Sequence, residues 1–174
     1  GGIRMSFTPR PAIIGDGDPL SAMARQCFID TFGHAYGAAD MSAFLASAFG
    51  PTGLAAQIGD PAHRIMLVED EGAIAGFILL EPMGLPVDHD TGSLEIKRLY
   101  VLKRWHGRGV AQALIDWAID TGRREGAPAL YLSVWTDNGR AIRFYERYGF
   151  VQAGTAPFAV GDQVDHDLVM RLAL

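Results

Sequence analysis

The chain has 174 residues, which suits one domain of ordinary size. It is 49% hydrophobic and 20% charged, with a net charge of −5, so it reads as a globular protein and not as a binder of nucleic acid or anionic membranes. Its one cysteine, Cys27, excludes an internal disulfide framework and a Cys-based zinc site.

Met5 reads as the native start, which gives a single domain over 5–174. Gly1 to Arg4 are not followed by the apolar stretch of a signal peptide. Ala73 to Leu80, among the longest apolar runs, is far short of the ~20 residues a membrane span needs. A cytoplasmic location is expected.

Ala12 to Ile14, closed by Gly15-Asp16-Gly17, reads as a first strand and turn. Asp18 followed by Pro19 predicts a capped helix start, with Met23, Cys27 and Ile29 to Phe32 as the apolar face and Gly33 as the stop. Asp40 is expected to cap a second helix through Phe44, Leu45 and Phe49, and Pro51 to open a short third. Arg64 to Glu69 and Ala73 to Leu80 predict a hairpin around Asp70-Glu71-Gly72. Gly84 to Gly92 is a polar loop, and Ser93 to Leu102 reads as a strand.

The period then changes. Val110, Ala111, Leu114, Ile115, Ala118 and Ile119 recur at helical spacing, and Gly126 and Pro128 end that helix. Ala129 to Trp135 reads as a strand. Asp137 or Asn138 caps a last helix carrying Ile142, Phe144, Tyr145 and Tyr148, closed by Gly149. Phe150 to Val160 and Val164 to Leu172 finish as two strands around Gly161-Asp162. This element order predicts an α/β fold, with a sheet of mixed direction covered by helices.

Chemistry concentrates between Leu99 and Gln112. A strand ends, a basic turn containing Gly107 and Gly109 follows, and a helix begins. Such a helix start offers unpaired N–H groups and a positive dipole end, and the glycines let an anion reach the backbone. Arg104 and Arg108 add charge. This is the chemistry of a pyrophosphate cradle. No Gly-Lys-Ser/Thr follows, so it is not a Walker loop. The five histidines show no i, i+4 pairing, so no metal is expected. Trp105 is expected to anchor the turn to the sheet, and Cys27 to be a small buried residue.

Arg104-x-x-Gly107-x-Gly109, followed by Asn138-Gly-Arg-Ala-Ile-Arg-Phe-Tyr145-Glu-Arg-Tyr-Gly149-Phe150 one strand later, resembles the acyl-CoA-binding pattern of the GNAT superfamily of N-acetyltransferases. The resemblance implies a mixed, mostly antiparallel, twisted central sheet flanked by helices. It implies a soluble enzyme that moves the acetyl group of acetyl-CoA, without metal, to an amine by direct attack. The backbone of Leu99, Tyr100 and Val101 would pair with the pantetheine amides. The N–H groups of Gly107, Arg108, Gly109, Val110, Ala111 and Gln112, with Arg104 nearby, would hold the pyrophosphate. Asn138 would bond the pantetheine or the acyl end, or serve as a helix cap, and the two roles are compatible. Tyr145 would protonate the departing thiolate.

Glu95 is a candidate general base. Its even spacing from Val101 on one strand puts both side chains on one face by period-two alternation. A strand-start carboxylate paired with Lys97 or Arg98 is the alternative, and a water chain is another. Ser133 stands where some relatives carry a carboxylate.

Thr31-Phe32-Gly33-His34, Met41 to Phe49, and the segment from Pro157-Phe158 through Met170 look more loosely like bacterial spermine/spermidine N-acetyltransferases. They suggest a polyamine or another small primary amine. It would enter between Phe32 to Tyr36 and the loop Pro82 to Gly92, drawn by Asp40, Asp88 and Asp90. Peptide N-termini, amino acids or antibiotics are alternative acceptors, and a non-catalytic acyl-CoA sensor is the alternative function. A monomer or homodimer is expected.

Overall fold

The computed structural model describes residues 6–174, so the start placed at Met5 lies outside the described residues. A seven-stranded sheet runs β1-β2-β3-β4-β5-β7-β6. The strands are β1 (Arg10–Pro11), β2 (Arg64–Asp70), β3 (Ala73–Pro82), β4 (Leu94–Val101), β5 (Ala129–Val134), β6 (Val151–Val160) and β7 (Gln163–Ala173). Every pairing is antiparallel except β4 with β5. The helices are α1 (Gly17–Phe32), α2 (Ala38–Ala48), α3 (Val110–Arg124) and α4 (Gly139–Arg147). The mixed, mostly antiparallel sheet flanked by helices is the expected architecture.

Local chemistry explains the elements that matter for the site. The β2–β3 hairpin turns on Glu71 and Gly72, whose φ values of 53° and 77° match the positive-φ pair of a two-residue turn. On α3, Val110, Leu114, Ile115, Ala118 and Ile119 are buried against the sheet, while Asp116, Asp120 and Arg124 are exposed. Each fully buried aliphatic side chain of that stripe contributes about 1.5–3 kcal/mol relative to exposure. The opposite face of the sheet is closed by α1, through Leu20, Met23, Ala24, Cys27 and Phe28.

Several local expectations are corrected. Ala12 to Ile14 is not a strand: β1 is Arg10–Pro11, and Ile14 is 85% exposed in a short 3-10 turn. Helix α1 starts at Gly17, so Asp18 lies inside it and is not the cap. Phe28 belongs to its buried face, and Ile29 is 41% exposed. Gly37 is the N-cap of α2, and Asp40 in its first turn accepts a hydrogen bond from the Asp162 N–H at 2.9 Å. A Cβ on Gly161 (φ +58°) would lie 2.2 Å from Asp40 Oδ1, so glycine is required where the β6–β7 turn meets α2. Pro51 sits in a turn ahead of a 3-10 segment, Leu54–Gln57.

Candidate active site

Strands β4 and β5 are in register only at Leu94 with Leu130 and Glu95 with Tyr131. Beyond those pairs the strands part, so the β5-facing edge of Leu99 to Val101 is free of strand pairing. A cleft of about 500 Å³ opens there, lined by Leu99, Tyr100, Val101, Gly107, Gly109, Val110, Ala111, Gln112, Ser133, Asn138 and Tyr145, among others. All of these were singled out from the sequence. Arg104 and Arg108 are exposed and outside the lining, the Arg104 guanidinium stacking 3.9 Å above the Trp105 ring.

One end of the cleft is built by the turn before α3, a bare helix N-terminus suited to an anion. Gly109 is its N-cap at φ 96°, with no side chain capping it. The first helical bond runs from Ala113 N–H to the Gly109 carbonyl, 3.0 Å, so the N–H groups of Val110 to Gln112 lie ahead of the ladder. A Cβ on Gly107 would meet no atom within 4 Å, which leaves open space above this turn. Buried Trp105 fixes the turn, its indole donating to Asp70 Oδ2 at 2.9 Å. His106 and Arg140, neither of them singled out from the sequence, stand at the same mouth. The His106 Nε2–H donates to the Val101 carbonyl at 2.9 Å, and Nδ1 accepts from the Arg140 guanidinium. Burial lowers the His106 pKa, in keeping with that neutral tautomer.

Helix α4 contributes Asn138 and Tyr145. Asn138 Oδ1 accepts from Ala141 N–H at 3.3 Å, a helix cap that leaves its NH₂ free of that bond. Tyr145 is 9% exposed, against Phe144 and Phe150. Burial pushes its phenol well above the ordinary tyrosine range, so it keeps its proton at neutral and mildly alkaline pH.

Glu95 does not join this group. Leu79 pairs with Arg98 and Leu80 with Ile96, so Lys97 is an extra residue in β4 and reverses the alternation. Val101 packs on the α3 side with Leu94, Ile96 and Leu99, whereas Glu95 lies opposite, 3% exposed and outside the cleft lining. Glu95 Oε1 accepts from Gly84 N–H at 3.1 Å and so holds the start of the loop after β3. Burial raises its pKa, and the Gly84 bond opposes that rise.

The acceptor side also differs from expectation. None of residues 82–92 lines the cleft; Met83, Leu85 and Val87 pack on Ala129, Tyr131, Ala156 and Val169. Asp88 and Asp90 are exposed, and Asp40 holds the β6–β7 turn. The facing wall is aromatic: Phe28 and Phe32 of α1, Phe158 of β6 and Trp135, with Phe32 and Trp135 ring centres 5.2 Å apart. Cys27 lies in this wall, its thiol pushed up to about 12 by burial. Asp167 of β7, absent from the sequence reading, is the buried carboxylate of the lining, 6% exposed. Desolvation, with the charge of Asp165 second, raises it to about 6. The available signal is Asp165-x-Asp167 just ahead of the apolar run Leu168 to Met170.

Among the described residues no helix is long and apolar enough to cross a membrane, and no cluster of His, Cys, Asp or Glu is arranged to hold a metal. Residues 22–150 match the Acetyltransferase (GNAT) family. An uncharacterised N-acetyltransferase of Lactobacillus delbrueckii subsp. lactis is 30% identical over 154 residues, 88% of this chain and 89% of that protein. An uncharacterised N-acetyltransferase of Mycobacterium bovis is 30% identical over 155 residues, 89% of this chain and 96% of that protein. The PaiA N-acetyltransferase of Thermoplasma acidophilum, solved in complex with coenzyme A, superimposes with a TM-score of 0.80 at 19% identity, covering 98% of this chain and 100% of that one. A parted strand pair facing a bare helix N-terminus suits a pantetheine arm and its diphosphate, and with these matches over most of its length the chain belongs to the Acetyltransferase (GNAT) family and is an acetyl-CoA-dependent N-acetyltransferase.

Proposed function

We propose that the chain acetylates a small primary amine by direct attack within a ternary complex. The observation that carries this reading is that the β4–β5 opening, the N-terminus of α3 and Tyr145 share one cleft with an aromatic wall that carries the buried Asp167 carboxylate. Backbone groups of Leu99, Tyr100 and Val101 pair with the pantetheine amides as an added strand. The N–H groups at the start of α3 hold the diphosphate, and the Asn138 NH₂ bonds the pantetheine arm. The amine nitrogen attacks the thioester carbon, and the Tyr145 hydroxyl protonates the departing sulfur.

The aromatic rings and the Asp167 carboxylate favour an alkylammonium acceptor, with a polyamine as one member of that class. Arg98, which also lines the cleft, is occupied: its guanidinium lies 4.9 Å above the Phe49 ring and donates to the Tyr100 hydroxyl at 3.0 Å.

The test is release of free thiol from acetyl-CoA with a panel of polyamines, monoamines, amino acids and peptides. Amine-dependent thiol with a matching N-acetyl product, and initial-rate lines that intersect, is the expected result. Parallel lines would indicate an acetyl-enzyme and contradict direct attack. Acetyl-CoA binding without thiol release for any amine would indicate a sensor.

A further inference from the structure

Tyr145 supplies a proton to the leaving sulfur, but the acceptor must first lose one. Alkyl amines hold their proton up to pH ~10, and an ammonium nitrogen has no lone pair. We propose, on the primary-amine reading above, that Asp167 of β7 receives the acceptor's ammonium in the cleft and takes its proton.

Three observations carry this. Asp167 lines the cleft and is 6% exposed, so its carboxylate is offered to the cavity and not to bulk water. Its Oδ1 is buried with no hydrogen-bond partner. Its neighbour Asp165, two places along β7, is held by the Tyr36 hydroxyl, which donates to Asp165 Oδ2. One carboxylate of the pair is therefore satisfied by the fold, and the other is left for a ligand. A buried unpartnered carboxylate is costly, and a bound ammonium supplies both the missing donor and the missing charge.

The surroundings fit a proton acceptor. The cross-strand partner on β6 is Ala156, and β5 brings Ser133 to the cleft, so neither strand offers a counter-ion. Tyr36 and Asp165 are the titratable groups coupled to Asp167, Cys27 of α1 and Tyr145 of α4 share the cavity, and all four are neutral or negative. Lys97 and Arg98 of β4 and Arg140 and Arg147 of α4 also line the cleft, and none of them forms an ion pair with Asp167. A carboxyl lifted to about 6 by burial also lies nearer the amine than an ordinary aspartate does, which makes proton transfer less uphill.

The step balances. The Asp167 carboxylate takes one proton from R–NH₃⁺ and becomes a carboxylic acid. The freed lone pair forms the C–N bond, the C–S bond breaks, and sulfur takes the Tyr145 proton. A second proton from the attacking nitrogen restores Tyr145, and Asp167 returns its proton to solvent. Ammonium and acetyl-CoA give the N-acetyl amine, CoA thiol and one proton.

The experiment is the pH profile of kcat/KM for spermidine and for butylamine at saturating acetyl-CoA, in wild type, Asp167→Asn, Asp167→Glu and Glu95→Gln. Wild type should lose rate below pH ~6. Asp167→Asn should fall 10²–10⁴-fold, lose that acidic limb, and keep its acetyl-CoA-dependent thermal shift. Asp167→Glu should restore the limb at reduced rate, and this variant also serves if Asp167→Asn fails to fold. Wild-type rate and limb in Asp167→Asn would overturn the assignment, and loss of the limb in Glu95→Gln alone would move the role to Glu95. A wild-type enzyme that binds acetyl-CoA but acetylates neither these amines nor any other cation refutes the acceptor reading itself, and this role with it.

Discussion

The wall proposed to hold the cosubstrate runs through nearly consecutive residues, from Leu99 on β4 through the turn at Gly107 and Gly109 to Gln112 on α3. The wall proposed to receive the acceptor gathers Phe32 of α1, Trp135 after β5, Phe158 of β6 and Asp167 of β7. The first is held by local devices: a left-handed glycine cap, the Trp105–Asp70 bond, and the buried stripe of α3. The second depends on contacts between distant segments, Tyr36 to Asp165 and Asp40 to the Asp162 N–H. The cosubstrate half is therefore set by short-range geometry, and the acceptor half by how α1 and α2 dock on the β6–β7 hairpin.

This contrast can be broken by substitution. Tyr145→Phe stands where the walls meet and should have the largest effect: kcat falls 10²–10⁴-fold while acetyl-CoA affinity stays near wild type. Steady-state rates between pH 7 and 9 check this, and an unchanged kcat would show that another group protonates the sulfur. Leu114→Ala, beneath the cosubstrate wall at 0% exposure, should cost about 2–5 kcal/mol in urea unfolding. The surviving folded enzyme should keep its ranking of amines, because that ranking belongs to the other wall.

Asp167→Asn should change stability in a pH-dependent way. In the folded chain the carboxyl is raised from 3.8 to about 6, so the folded state binds the proton more tightly than the unfolded one. The resulting stability is present below pH ~4 and is lost as pH rises through about 6. Asparagine carries no such titration, so relative to wild type it should gain about 2 kcal/mol between pH 4 and pH 8. Chemical unfolding at the two pH values measures that difference, and equal differences would mean that the carboxylate is not desolvated. Gly109→Val forces a branched residue to φ 96°, which costs about 1–3 kcal/mol. Where that strain is relieved by moving the turn, acetyl-CoA affinity should fall by roughly tenfold in calorimetry. Gly107→Ala, with open space around its Cβ, should do less to packing.

Legibility in the sequence follows the same division. The helical period of α3, the glycines of its turn, the Asn138 cap and the β2–β3 turn are local patterns, and the structure places them as read. Apart from the start of α1 and the turn at Pro51, the misread features depend on how segments pair. Ile13 and Ile14 look like a strand, but no neighbouring strand takes them up, and both are exposed. Asp40 looks like a helix cap, yet its oxygen is claimed by Asp162, and the close approach of Gly161 shows why. Strict alternation places Glu95 on the Val101 face, and the extra residue at Lys97 turns it to the other. Asp167 lies beyond both recognisable motifs, and it reaches the cleft only when β7 pairs with β5 and β6.

The measurement that bears most directly on the two-walled cleft is a crystal structure with coenzyme A and spermidine bound together. The expected result has pantetheine amides paired with Leu99 to Val101, the diphosphate on the N–H groups of Val110 to Gln112, and the sulfur beside the Tyr145 hydroxyl. One spermidine nitrogen should lie within hydrogen-bond distance of the Asp167 carboxylate and face that sulfur. A pantetheine arm outside the β4–β5 opening, or a spermidine bound among Asp88 and Asp90 with Asp167 still unpartnered, would contradict it.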